Sequence, residues 1–431
     1  MKMFGFKSLV LPNGLTVILQ PLDHANSTSI YIAVGAGPRF ETQETAGLAH
    51  FLEHMLFEGT KNLPTSKDVA QDIEKIGGQS GAFTDKEYVI YYAKVKPQHL
   101  ETATSYLSEI LFNSTLNPEA IEKEKGIVME EIKRAIDNPE VEIWELWPEW
   151  IWGKDQALGR STLGNVKTIQ NVTREKLLQY MQNLYHPANM VIAVAGNFSL
   201  KKAERLLHKH FGAKPKGKIP NFKTLKVVYK KNVIKNINSD AQQNQLILGF
   251  ITGVSYLHKD RFPLHVVADI LGGRRNSRIF YKLVSELGIA YTVGTYDWAF
   301  RDTGLFSTYG GFSTEKTEKA IKTILEELTR LKSERVSSKE LQEVKEMGKS
   351  NLYFSMETSD AMASHYAAQY ITEGRILTPD QTARNIDKVT AENIQRVAKK
   401  YLTKKNLRLM VRGPSVKKFT RSFEKLLDDF N

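Results

Sequence analysis

Residues 169–196 read IQNVTREKLLQYMQNLYHPANMVIAVAG, and residues 386–413 read IDKVTAENIQRVAKKYLTKKNLRLMVRG. Ile169, Val172, Thr173, Glu175, Asn189 and Gly196 return as Ile386, Val389, Thr390, Glu392, Asn406 and Gly413, each pair 217 residues apart. The apolar spacing is kept too: a run at helical period is followed by a β-rich run ending in glycine. Six matches in one register, which fix Gly, Asn and Thr as well as apolar positions, mark an internal duplication. Nearby, Gly159-Arg160 returns as Gly374-Arg375 at an offset of 215.

Working outward from the repeat, the 431 residues divide into two related domains, 1–215 and 216–431, each of a size that buries its own core. Lys214 to Pro220, with two prolines, a glycine and basic residues, suits the linker. In the first half, Gly14–Leu19, Ser29–Val34, Tyr88–Val95 and Met190–Ala195 read as strands. Helical patterns fill 67–76, 98–112, 118–136 and 173–184. Strands in groups with helices between them predict an α+β fold, each domain an antiparallel-rich sheet with helices packed on it.

Hydrophobic residues make up 41% of the chain and charged residues 25%, which excludes disordered and fibrous classes. No run approaches the ~18 apolar residues of a membrane span. Met1–Phe6 is too short for a signal segment and no transit-peptide pattern follows, so a cytoplasmic protein is the expectation. With no cysteine, disulfides, thiolate-bound zinc, iron–sulfur clusters and thiol catalysis are excluded. Any metal falls to His, Asp, Glu or backbone oxygen. The net charge of +12 is uneven: residues 1–215 hold 23 Lys/Arg against 25 Asp/Glu, and residues 216–431 hold 37 against 23. The basic second half suits acidic peptide segments or an acidic partner.

Gly47-Leu48-Ala49-His50-Phe51-Leu52-Glu53-His54-Met55 carries apolar residues at helical spacing, with Thr45 as the expected N-cap and Gly59 beyond the end. His50 and His54, at i and i+4, stack on one helix face, and Glu53 shares it. Two imidazoles so spaced fill two vertices of a zinc tetrahedron, and the glutamate reaches a metal-bound water as its base. The pattern is H-x-x-E-H, an inverted zinc-protease motif. The third ligand belongs on a later helix, N-capped by Asn117 and opened by Pro118. That helix offers Glu122, Glu124, Glu130 and Glu131. Glu124 and Glu131 share a face, and geometry alone does not choose among the four.

These residues resemble the pitrilysin or insulinase-type zinc peptidases, and among them the short two-domain bacterial members similar to mitochondrial processing peptidase subunits. The resemblance runs from Leu11-Pro12-Asn13-Gly14 to about Gly413. Gly47 to His54 resembles the zinc helix. Gly77-Gly78 with Ala82-Phe83-Thr84 resembles the active-site edge strand. Glu124 to Glu131 resembles the second zinc-site helix. Leu158-Gly159-Arg160, Leu163-Gly164 and Tyr185 to Gly196 follow in order, then Leu271-Gly272-Gly273, Ser277 to Phe280 and Gly288-Ile289-Ala290-Tyr291.

The resemblance implies Glu131, 77 residues after His54, as the third zinc ligand beside His50 and His54. It implies Glu53 as catalytic base and Glu124 as a supporting carboxylate. The substrate would add as a strand along Ala82, Phe83 and Thr84. Two positions depart from the family. Gly81 stands where Asn is usual. Tyr291 is present, but Val284 occupies the place of the Arg seven residues earlier. The expectation is therefore a Zn2+-dependent endopeptidase acting on peptides or unfolded segments. It would be the zinc-bearing subunit of a heterodimer whose related partner supplies an Arg/Tyr pair, with a homodimer as the other arrangement. The rival function is a non-catalytic scaffold subunit. Basic pairs such as Lys399-Lys400 raise nucleic-acid binding, but no nucleic-acid motif accompanies them.

Overall fold

The computed structural model describes residues 5–227 and 233–430; Met1 to Phe4, part of the start read as too short for a signal segment, lie outside them. Its first sheet contains β1 (Lys7–Val10), β2 (Thr16–Pro21), β3 (Thr28–Val34), β4 (Gln79–Thr84), β5 (Val89–Val95) and β6 (Met190–Gly196). Their order is β1-β2-β6-β3-β5-β4. Every neighbouring pair is antiparallel except β2 with β6. The second sheet contains β7 (Ile234–Asn238), β8 (Asn244–Ile251), β9 (Ala290–Ala299), β10 (Gly304–Phe312) and β11 (Leu407–Gly413), ordered β7-β11-β8-β10-β9. Here only β7 with β11 is parallel. These are the antiparallel-rich sheets of the α+β expectation.

The duplication is visible atom by atom. The helices Arg174–Leu184 and Ala391–Tyr401 and the strands β6 and β11 keep the 217-residue register. Thr173 accepts a hydrogen bond from the Lys176 amide, and Thr390 accepts one from Asn393, so both threonines are N-caps. Asn189 Nδ2 donates to the Leu184 carbonyl at 2.8 Å, and Asn406 Nδ2 donates to the Tyr401 carbonyl at 2.9 Å. Each ties a helix end to the start of the strand that follows.

Two compact units form. One comprises Met1–Arg134, Arg160–Lys223 and Tyr353–Thr378; the other comprises Ala135–Gly159, Thr224–Leu352 and Pro379–Asn431. Neither unit is one continuous stretch: residues 135–159 belong to the second and residues 353–378 to the first, so two helical segments are exchanged between the halves of the chain. The reason lies in the strands. β3 and β6 are buried at every position, so their sheet needs an apolar layer on both faces. On one face, α1 (Leu48–Met55), α2 (Ser66–Glu74), α3 (Leu100–Asn113) and α4 (Pro118–Asp137) contribute to the main core with Leu19, Ile30, Ile32 and Val194. On the other, Met362, Ala363, Tyr366 and Ala367 of the helix Ser359–Glu373 cover Ile18, Tyr31, Ile90 and Val191. In the second unit the helix Pro139–Trp152 does the same: Ile143, Trp147 and Ile151 pack on Ile247, Leu305 and Met410.

Candidate metal centre

Leu48, Phe51, Leu52 and Met55 are the buried face of α1. Their spacing leaves His50, Glu53 and His54 half-buried on the other side. The helix start differs from the expectation. Thr45 does not cap it; its hydroxyl accepts from the Thr42 amide at 2.8 Å. Gly47 is the N-cap, in a left-handed conformation at φ 92°, and gives no side-chain cap. Glu41 takes that role, accepting from the Gly47 amide at 2.9 Å and the Ala49 amide at 2.7 Å.

On α4, Ile121, Glu124, Val128 and Ile132 are buried. Of the four glutamates that the sequence left open, Glu122 pairs with Lys125 and Glu130 with Lys133. Glu131 Oε2 lies 3.7 Å from His50 Nε2 and 3.8 Å from His54 Nε2. Ligand atoms of His50, His54 and Glu131 all fall within 4.8 Å of one another, the one such group among the described residues. Glu131 Oε2 is buried with no hydrogen-bond partner, and a buried orphaned oxygen facing two imidazole nitrogens fits a metal ligand. Three N/O donors without a thiolate suit zinc with a fourth position left for water. Glu124 Oε2 accepts from His54 Nδ1 at 3.0 Å, which fixes that ring and would leave Nε2 to a metal.

Electrostatics separate the two histidines. Burial, then the neighbouring His54, lowers His50 to about 4, so it is a neutral imidazole, the ligand form. Burial alone would lower His54 too, but the hydrogen bond to Glu124 and the charges of Glu131 and Glu53 outweigh it and raise it. Glu124 is lowered by the same bond. Burial raises Glu53 against the opposing Thr84 hydrogen bond and His54, the direction that favours a base working near neutral pH.

β4 is the edge strand of its sheet. Ala82 packs on the core and Phe83 is 39% exposed. Thr84 Oγ1 donates to Glu53 Oε2 at 2.5 Å, a contact the sequence reading missed because it treated Thr84 as backbone for substrate. At Gly81 a Cβ would meet the Tyr92 hydroxyl at 2.7 Å, so the tyrosine fills the space a side chain would need. In the second unit, Tyr291 at the start of β9 is 93% exposed. Val284 packs against that unit's core, where an arginine would carry a charge. His265 bonds Asp297 at 2.8 Å and lies 3.9 Å from Asp269.

Residues 16–165, which hold all of α1 and α4, match the sequence profile of Insulinase (Peptidase family M16). Residues 171–347 match that of the Peptidase M16 inactive domain. A Bacillus subtilis protein named as an uncharacterized zinc protease, YmxG, is 34% identical over 92% of this chain and 96% of its own length. The chain belongs to peptidase family M16. A second M16 relative, a Rickettsia felis protein also named as an uncharacterized zinc protease, is 32% identical over 92% of this chain and 95% of its own. Among solved structures, a Helicobacter pylori protease shares the M16 fold at TM-score 0.87 and 21% identity, covering 96% of this chain and 100% of that one. A Pseudomonas fluorescens peptidase M16 inactive domain shares it at TM-score 0.87 and 19% identity, over 95% and 98%. Among the described residues, no helix of this M16 chain is long and apolar enough to cross a membrane.

Proposed function

We propose that this chain is a zinc-dependent endopeptidase for peptides or unfolded segments. The observation that carries the reading is the convergence of His50, His54 and Glu131 within 4.8 Å, beside the carboxylate of Glu53. His50, His54 and Glu131 would hold Zn2+. When bound, zinc supplies an acidified water and a polarised scissile carbonyl. Glu53 takes the proton of the attacking water and passes it to the leaving amine. Glu124 holds the His54 ring. The substrate backbone adds to the free edge of β4 along Ala82–Thr84, which reads main chain and leaves specificity to side-chain pockets. Tyr291 is assigned to substrate and oxyanion contact. Val284 deprives the chain of the companion arginine, so a related subunit supplies it, with zinc on this chain.

One observation favours the second reading, a non-catalytic scaffold subunit: residues 171–347 match a domain described as inactive. A Glu53→Gln variant separates the two. We expect it to bind about one zinc per chain by mass spectrometry while peptide cleavage falls by roughly the 10²–10⁴-fold of a lost general base. Assays of the wild type alone and with a related subunit accompany it. A wild type with no zinc and no cleavage in either assay would overturn the peptidase reading. Strong cleavage by the lone chain would overturn the heterodimer.

A further inference from the structure

Glu41 stands outside the α1 motif, yet it holds the start of the metal helix. Its residue is 6% exposed. One carboxylate oxygen accepts from the Gly47 amide and the other from Ala49. These are amides of the first turn, which has no side-chain cap and no acidic residue of its own. Ala49 directly precedes His50.

The segment after Gly159, which the catalytic reading leaves unused, builds the rest of the clamp. Arg160 Nη1 donates to the Glu41 carbonyl at 2.6 Å, and Lys86 Nζ donates to the Arg160 carbonyl at 2.5 Å. A Cβ on Gly164 would meet the Ala46 carbonyl at 2.4 Å, and one on Gly47 would meet the Leu163 carbonyl at 2.8 Å. Backbone thus lies against backbone where α1 begins, and both glycines have positive φ. Lys86 follows the end of β4 by two residues, so one clamp joins the metal helix, the edge strand and the 160–164 segment.

We propose that Glu41 is a positioning residue: its ionised carboxylate fixes the start of α1, and with it the imidazoles of His50 and His54, in zinc-binding geometry, and it loses that hold when protonated. The proposal rests on the zinc reading of the site. A carboxylate accepts both amides; a carboxylic acid turns one oxygen into a donor and gives up one acceptor. Burial pushes Glu41 up to about 7, against the Ala49 and Gly47 amides and the charges of Arg160 and Lys86. Tyr180 and Tyr185 are the other titratable groups that feel its charge. Because the folded value is raised from 4.5, the folded chain binds the extra proton between these two values. Acidification across that window stabilises the fold through this group while it loosens the helix start. A loss of zinc there is not global unfolding.

The test compares zinc dissociation constants of wild type and Glu41→Gln by competition with a chromophoric chelator from pH 6 to 8.5. We expect the variant to bind about tenfold more weakly at pH 8.5, as for an outer-shell partner, and the two to converge toward pH 6. Histidine protonation is common to both and cancels in the ratio. Equal affinity at pH 8.5, or a ratio that does not change with pH, would overturn the proposal. Hydrogen exchange of the wild-type peptide covering 44–53, corrected for intrinsic rate, is the second measurement. Protection should fall as pH drops through about 7; unchanged protection would overturn the proposal even if the variant misfolds. Zinc bound without cleavage would defeat the peptidase reading alone. Should the wild type bind no zinc, the zinc reading falls and the exchange measurement still decides the clamp.

Discussion

A hydroxyl and a carboxylate meet at 2.5 Å where Thr84 donates to Glu53. The bond crosses from the last residue of the edge strand to α1, so the strand proposed to bind substrate would also aim the proposed base. A base that swings away keeps its pKa class but loses its geometry, and geometry is what general-base catalysis needs first. Thr84→Val removes the donor at nearly constant shape. It should lower kcat about tenfold to a hundredfold, within the total worth of a general base. KM should change little, because the β4 backbone is untouched, and Thr84→Ser should restore most of the rate. Steady-state kinetics on one peptide check this; a loss confined to KM would place Thr84 on substrate instead. At this scale the sequence was legible where chemistry follows helix periodicity. His50, Glu53 and His54 share a face because of 3.6-residue spacing, and Glu131 followed from resemblance. Thr84 on Glu53 and Glu41 on α1 were not legible, since a strand-to-helix contact and a cap from six residues upstream depend on tertiary placement. The signal for Glu41 was indirect: with Gly47 as N-cap, the first-turn amides required a partner from elsewhere.

Between residues and the whole, the repeated helix–strand unit shows what a duplication conserves physically. Asn189 is 5% exposed and donates to both the Gly35 and Leu184 carbonyls. Asn406 is part-buried, and among the described residues its side chain makes the bond equivalent to that with Leu184, to the Tyr401 carbonyl, without a second one. Truncation to alanine takes a side-chain donor from each of these carbonyls, of which Leu184 keeps the His186 amide at 3.2 Å, at a cost that rises with burial. Asn189→Ala should therefore destabilise by about 1–3 kcal/mol, and Asn406→Ala by less, about 0.5–1.5 kcal/mol. Chemical denaturation monitored by tryptophan fluorescence measures both, and equal costs would contradict the burial argument. The element pattern was readable because threonine caps, apolar period and strand-initiating asparagine are local. The 217-residue register then carried the reading from one half to the other. Gly159 and Gly374 show the limit of such matching. Gly374 closes a helix in the left-handed region at φ 68°, whereas Gly159 packs with its α-carbon against the Gly153 carbonyl.

For the whole chain, the exchanged helices decide how much of the sequence is needed to fold either unit. β3 and β6 are buried at every position, so both faces of the first sheet are covered. Nothing local said that the cover comes from residues 359–373, because an amphipathic helix does not name the surface it will meet. The consequence is testable by a single cut after Lys223, where the first unit's middle segment ends. A fragment of residues 1–223 lacks the helix Ser359–Glu373, so Ile18, Tyr31, Ile90 and Val191 lose Met362, Ala363, Tyr366 and Ala367. It also retains residues 135–159, whose Ile143, Trp147 and Ile151 belong on the other sheet. Two apolar faces are then exposed in one fragment, each of the kind that drives association. The fragment should be mainly insoluble, or bind a hydrophobic dye while lacking near-ultraviolet circular dichroism, even though it carries His50, Glu53, His54 and Glu131. Replacing residues 135–159 with a short flexible linker and appending residues 353–378 should restore a soluble, cooperatively unfolding unit. A soluble, cooperative 1–223 fragment would show that the exchanged helices are dispensable cover and not an obligatory layer.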